Sequence, residues 1–280
     1  MHTAQIDALL EYEVRGPTHF LFNLEAALHE AHQLVQERLT ITPSVNVRHF
    51  CDARNGNRFF RLDASKGLLS VNYHAQLQLQ VAPLPLQLDE TPVSALPDEV
   101  LRYLLSSRYC ESDTLSRASQ QLFGQLPPGL ARVRAIEGWI HDSIAYLPGF
   151  SNASTTAQDV FVQRAGVCRD FAHLGITLCR ALNIPARLVV GYVYFDEPPQ
   201  DFHALFEAWL DGRWVLFDPT RMAPVDRLVR VGTGRDAKDV AFATMFGDVQ
   251  MLRKELVVEQ GDLPPDQASA QLPALTQVTA

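Results

Sequence analysis

The sequence predicts an α+β protein in two parts: a β-rich N-terminal domain, then a domain whose helices come before its strands. Three observations carry this. The first eighty residues hold short runs of period-two alternation separated by polar turns. Between residues 98 and 182 the apolar residues fall at helical spacing. After Pro185 the alternation returns, and helices followed by strands, rather than interleaved with them, give α+β order. The 280 residues suffice for about two domains. Hydrophobic residues make up 47% and charged residues 20%, which excludes a mainly disordered chain.

Leu10–Val14, Leu39–Thr42, Val45–Phe50, Phe59–Leu62, Leu68–Tyr73 and Leu77–Val81 read as strands at short spacing, as in an antiparallel sandwich or barrel. Leu24–Val35 fits a helix or a strand pair equally. The N-terminal domain is set at residues 1–82. Four prolines without periodicity mark a linker at 83–97. Pro97-Asp98-Glu99 opens a helix carrying Val100, Leu101, Leu104 and Leu105. Asp113-Thr114 offers a cap for a second helix through Phe123. Leu130–Tyr146 gives a third, with Val133, Ile136, Ile140 and Ile144 on one face, and two more follow before Leu182. The second domain is set at 98–260. The tail at 261–280, rich in Pro, Gln and Ala, is expected to be loose.

Lys and Arg total 24 against 32 Asp and Glu, a formal charge of −8 with no basic run. That excludes the electrostatic footprint of a general nucleic-acid binder and of a polybasic membrane patch. No stretch reaches the ~18 apolar residues of a membrane span, and the N-terminus shows no secretory pattern, so the expected location is the cytoplasm. The four cysteines, Cys51, Cys110, Cys168 and Cys179, form no C-x-x-C pair and are expected to be free thiols.

One thiol is placed to react. Gly166 permits a tight turn into a helix that is apolar almost all round, with Cys168 in its first turn. Helix N-termini favour anions, and a thiol there is a recurrent nucleophile. A lone cysteine on an apolar helix is more often a packing residue, so a partner base decides the matter. Downstream, Asp211-Gly212 joins two aromatic-rich runs, a strong hairpin signal. With those two residues as the loop, Trp209 faces Trp214 and Glu207 faces Leu216. His203 and Asp218 then share a face as diagonal neighbours about 7–8 Å apart along the backbone. An Asp beside a His fixes its tautomer and supports the imidazolium.

GVCRDFAHL followed by DFHALFEAWLDGRWVLFDPT resembles the core of the bacterial transglutaminase-like family, within the papain-like cysteine enzyme superfamily. The resemblance is strong over Ala157–Thr220 and extends through Gly234–Phe242. It implies a papain-like α+β core behind a β-rich domain, with Cys168 as nucleophile, His203 as base and Asp218 as the orienting carboxylate. Gly166, Asp170 and Trp214 also fall on the family pattern. The implied chemistry is acyl transfer or amide hydrolysis on a peptide or protein amide through a thioester, as in a transglutaminase-like acyltransferase or a cysteine protease or amidase. No cofactor is implied. The Cys168 backbone N–H is one oxyanion donor, and Tyr146 or Asn152 supplies the second. His173 and Trp214 are further candidates near the site.

Two alternatives compete. A metal site of Cys168, His173 and His203 is disfavoured, because positions five apart lie about 140° round a helix. A non-catalytic scaffold retaining the fold would normally have lost a member of the triad, and all three residue types are present.

Overall fold

The computed structural model describes residues 2–262 apart from 81, 82 and 84. Its architecture is α+β. The first six strands are β1 (His2–Val14), β2 (Thr18–Phe22), β3 (His32–Thr42), β4 (Val47–Asp52), β5 (Asn57–Ala64) and β6 (Gly67–Leu79). Helices α1 (Asp98–Leu101), α2 (Ser116–Phe123) and α3 (Leu130–Ser143) follow. Then come β7 (Ala145–Tyr146), α4 (Ala157–Gln163), β8 (Ala165–Gly166) and α5 (Cys168–Ala181). The remaining strands are β9 (Ala186–Tyr192), β10 (His203–Leu210), β11 (Arg213–Phe217), β12 (Val229–Gly234), β13 (Ala243–Phe246) and β14 (Val249–Asp262).

The N-terminal unit is a sandwich of two four-stranded antiparallel sheets, ordered β14-β1-β6-β3 and β13-β2-β5-β4. In β1 every even-numbered residue from Ala4 to Val14 is buried, the period of a strand with one face on a core. Tyr12 from one sheet meets Phe20 of the other edge-on, ring centres 5.3 Å apart. Residues 68–73 and 77–81, read as two strands, belong to one, β6; Val81 lies outside the described residues.

The boundary expected at residue 260 is corrected by the last two strands. β13 pairs with β2 and β14 with β1, so the chain returns to the sandwich after the second unit is built. Gly261 and Asp262 continue β14, and residues 263–280 lie outside the described residues. The ambiguous segment after Leu24 is neither helix nor strand pair until β3 begins. Its polar groups are spent across the interface: Ala27 N–H donates to the Arg230 carbonyl, and the Leu24 carbonyl accepts from the Tyr192 hydroxyl. Asp113 and Thr114 do not cap α2, which begins at Ser116 with no side-chain cap.

In the second unit the antiparallel sheet β11-β10-β9-β12 packs against α5. Val133, Ile136, Ile140 and Ile144 join one core with Phe171, Ile176, Leu188 and Phe206. Gly175 makes the close approach possible, because a Cβ there would lie 2.6 Å from the Phe206 ring. No helix among the described residues is long and apolar enough to cross a membrane.

Candidate active site

The start of α5 is fixed from both sides. Val167, just before the helix, has no acceptor in its side chain, so Asp170 reaches back and its Oδ2 accepts the Val167 N–H at 2.9 Å. Gly166 is required by that carboxylate rather than by a left-handed turn: a Cβ there would come within 2.7 Å of the Asp170 Cβ. Upstream, β7 and β8 pair in parallel, with Tyr146 opposite Gly166, which sets the Tyr146 ring beside the first turn of α5. Cys168, partly buried, heads that turn, its Sγ 3.9 Å from the Phe202 carbonyl.

The β10–β11 hairpin supplies the partners. Its register is the one derived from the Asp211-Gly212 loop: Leu210 opposite Arg213, Trp209 opposite Trp214, Glu207 opposite Leu216. Both loop residues take positive φ, as a two-residue turn matching the strand twist requires. His203 Nε2 lies 2.9 Å from Asp218 Oδ2, and the two side chains are 1% and 2% exposed. Asp218 is held in turn. Its Oδ1 accepts from the Thr220 hydroxyl at 2.6 Å and the Thr220 N–H at 3.0 Å, and its own N–H donates to Glu137 at 3.0 Å.

His203 Nδ1 is buried with no hydrogen-bond partner among the described residues, and the Cys168 thiol lies near enough to the imidazole to act on its charge. Burial works against the imidazolium, but hydrogen bonds and charge from Asp218 and Cys168 outweigh it and raise the His203 pKa to about 10. Asp218 is lowered: burial opposes its charge, and the bonds from His203 and Thr220 more than offset that. The Tyr146 phenol also lies against Cys168, near both its thiol and its backbone N–H; burial, then the thiol's charge, hold it protonated and able to donate.

The structure thus brings Cys168, His203, Asp218 and Tyr146 together, and three other candidates fall elsewhere. His173 is wholly buried on α5. It stacks on Tyr109 at 5.2 Å and its Nε2 accepts the Ala237 N–H at 3.1 Å, so it fastens a loop and cannot meet a substrate. The Asn152 side chain is taken by Ser154, whose N–H and hydroxyl both donate to its Oδ1; only its carbonyl turns to the α5 start, accepting from Arg169. Trp214 packs against Trp209 and the Arg187 guanidinium, far along the hairpin from Asp218. Glu137 and Thr220 were not singled out from the sequence. Thr220 had a legible signal, a hydroxyl two residues after an aspartate, whereas nothing in α3 marks Glu137. Among the described residues no group of three or more His, Cys, Asp and Glu is arranged to hold a metal ion.

Known proteins share this chain's fold and parts of its sequence. The family model "Transglutaminase-like superfamily" matches residues 116–219, and "Bacterial transglutaminase, N-terminal domain" matches residues 3–94. A solved structure from Cytophaga hutchinsonii, described as a "Putative Cysteine Protease", is 38% identical with a TM-score of 0.89, covering 94% of this chain and 92% of that one. Uncharacterized proteins of Mycobacterium leprae and Mycobacterium tuberculosis are 35% and 36% identical over 120 and 122 residues, 39% of this chain in each case. Those matches span 42% and 39% of the mycobacterial chains, less than half their length. Near-complete overlap with the Cytophaga structure, together with the core and N-terminal family models, places this chain in the transglutaminase-like superfamily.

Proposed function

We propose that the protein is a cysteine-dependent enzyme that cleaves or transfers an amide acyl group through a thioester on Cys168. The observation that carries this is the buried His203–Asp218 pair at 2.9 Å, with the other imidazole nitrogen unpaired and the ring beside the Cys168 thiol at a helix N-terminus. The Cys168 sulfur attacks the carbonyl of a peptide bond or a glutamine side chain. The C–N bond breaks, His203 gives its proton to the departing amine, and the acyl group stays on sulfur. Water or a second amine then takes the acyl group, with His203 accepting the proton of the incoming nucleophile, and the thiol is regenerated. Asp218 keeps the imidazole oriented and supports its charge. The Cys168 N–H and the Tyr146 hydroxyl are the donors for the tetrahedral oxyanion.

The substrate is a peptide or protein amide, and no nucleic acid or membrane surface is required. Four free cysteines suit a reducing compartment, so we assign the activity to the cytoplasm. The test is to incubate the protein with a peptide mixture, with and without a primary amine, and to map trapped acyl adducts by mass spectrometry. An adduct on Cys168, absent in Cys168→Ala of unchanged melting temperature, is the expected result. Product formation undiminished in that variant would overturn the reading.

A further inference from the structure

A second cavity lies on the same sheet but away from the triad. It has a volume of about 730 Å³ and opens between the loop after β2 and the face of the β9–β12 sheet that carries Glu207. Glu207 is four residues along β10 from His203, about 13 Å at strand spacing, so the two sites share a strand and no side chain.

The cavity wall holds a buried charge cluster that is not neutral. Glu207 is 1% exposed and accepts from Arg187 Nε at 2.7 Å and from Arg230 Nη2. Those two guanidinium side chains are only 11% and 8% exposed. Two cations against one carboxylate leave one positive charge out of water. His29, also on the wall, does not change the sum: burial, then the charge of Arg230, holds its pKa down to about 3. At the rim Arg213, Glu30 and Asp226 are exposed and screened by solvent.

Two donors in this wall have no acceptor. Arg230 Nη1 and Trp209 Nε1 are buried and unpaired among the described residues. A buried donor without a partner is costly, and these belong to side chains that line one cavity. The Arg187 guanidinium carbon lies over the Trp214 ring, 4.0 Å from its centre. Trp209 meets Trp214 edge-on at 5.1 Å, and Leu216 continues the apolar wall. Two guanidinium groups, one surplus positive charge and aromatic walls in a volume of this size describe a small-molecule site.

We propose that this cavity binds a small organic carboxylate, its charge held by the Arg187 and Arg230 guanidinium groups and its apolar body lying against Trp209, Trp214 and Leu216. A monoanion neutralises the surplus charge, whereas a phosphate dianion would leave one negative charge buried in its place. The site is separate from the triad, and its occupancy does not depend on the chemistry proposed for Cys168.

The test uses the full chain and three matched probes: naphthalene-2-carboxylate, its neutral carboxamide and 2-naphthyl phosphate. Isothermal calorimetry gives stoichiometry, and quenching of the tryptophans reports proximity to Trp209 and Trp214. The expected result is one saturable site for the carboxylate, with the carboxamide and the phosphate each about tenfold weaker or more. Arg230→Lys keeps the charge but loses the forked donors and should weaken the carboxylate by a similar factor. Should that variant fail to fold, Trp209→Phe trims the aromatic wall and should weaken it severalfold. Equal binding of carboxylate and carboxamide, no saturable binding by about 10 mM, or folded variants with unchanged affinity would each overturn the proposal.

Discussion

Replacing Asp218 with Asn changes one atom and should disable the site without dismantling it. Asn keeps an oxygen for the two bonds from Thr220. It places an N–H₂ where Oδ2 now meets His203 Nε2 at 2.9 Å. An amide donor there requires Nε2 to be the acceptor, so the ring proton moves to Nδ1, the side facing Cys168. The charge support is lost at the same time, and burial, the largest single influence on His203, is no longer outweighed by Asp218. With its pKa at about 10, His203 is almost entirely protonated at neutral pH. A return to the ordinary value of about 6.5 would leave roughly 9% imidazolium at pH 7.5, a fall of about tenfold. Alkylation of Cys168 by iodoacetamide at that pH should slow by about the same factor, and turnover by roughly 10²- to 10⁴-fold through the wrong tautomer. Stability gives an independent reading. The His203 value is raised in the fold, so its contribution is fully present below about pH 6.5 and is lost as pH rises through about 10. The native protein should therefore lose melting temperature across that window, and Asp218→Asn should lose distinctly less. Superimposable pH profiles for native protein and variant, in both alkylation and melting, would remove Asp218 from the mechanism.

Peptide mapping after brief iodoacetamide treatment at pH 6 should find Cys168 labelled ahead of Cys51, although Cys51 is the exposed thiol; burial and the Asp52 charge raise the Cys51 pKa. Cys110 and Cys179 should stay unlabelled until unfolding, since both are fully buried and Cys110 is pushed up to about 12. Glu207→Gln leaves two buried guanidinium groups without a counter-charge and should cost about 3–5 kcal/mol in denaturant unfolding; a loss below about 1 kcal/mol would mean the cluster is solvated. Gly175→Ala forces a methyl to within 2.6 Å of the Phe206 ring and should cost about 1–3 kcal/mol, with turnover falling as α5 shifts from β10.

The hairpin shows why part of the site was legible. An Asp-Gly loop fixes register, register fixes which residues share a face, and His203 and Asp218 follow by counting. The same counting sets Glu207 opposite Leu216 but names none of its charged partners. Its partners, Arg187 on β9 and Arg230 on β12, come from strands whose alignment no turn announces. Glu137 was invisible for a similar reason: it reaches the Asp218 N–H from a helix 81 residues earlier, and periodicity marks the buried face of a helix without naming what meets it. Trp214, four positions before Asp218, is a candidate through the family pattern, and His173 as a residue flanking Cys168. Four residues of strand carry Trp214 about 13 Å away, and His173 lies in a part of α5 that is buried on every side.

The domain boundary failed on connectivity. Local pattern marks β13 and β14 as strands well enough, but a strand's alternation says nothing about which sheet it joins. β14 pairs with β1 on the edge that β6 leaves free, so the first strand of the chain gains its second partner only when the last described residues arrive, on the order of 250 positions later. The consequence is mechanical. The second unit enters and leaves through the sandwich, and the loop after Leu24, whose pattern fits a helix and a strand pair equally, closes against it: Ala27 bonds the Arg230 backbone while the Arg230 side chain pairs with Glu207 on β10, the strand that opens with His203. A segment whose hydrogen bonds go to scattered partners, the Tyr73 hydroxyl and the Gly56 carbonyl in its own unit and the Arg230 carbonyl in the other, has no local period to read. Its irregularity therefore marks the interface that walls the second cavity.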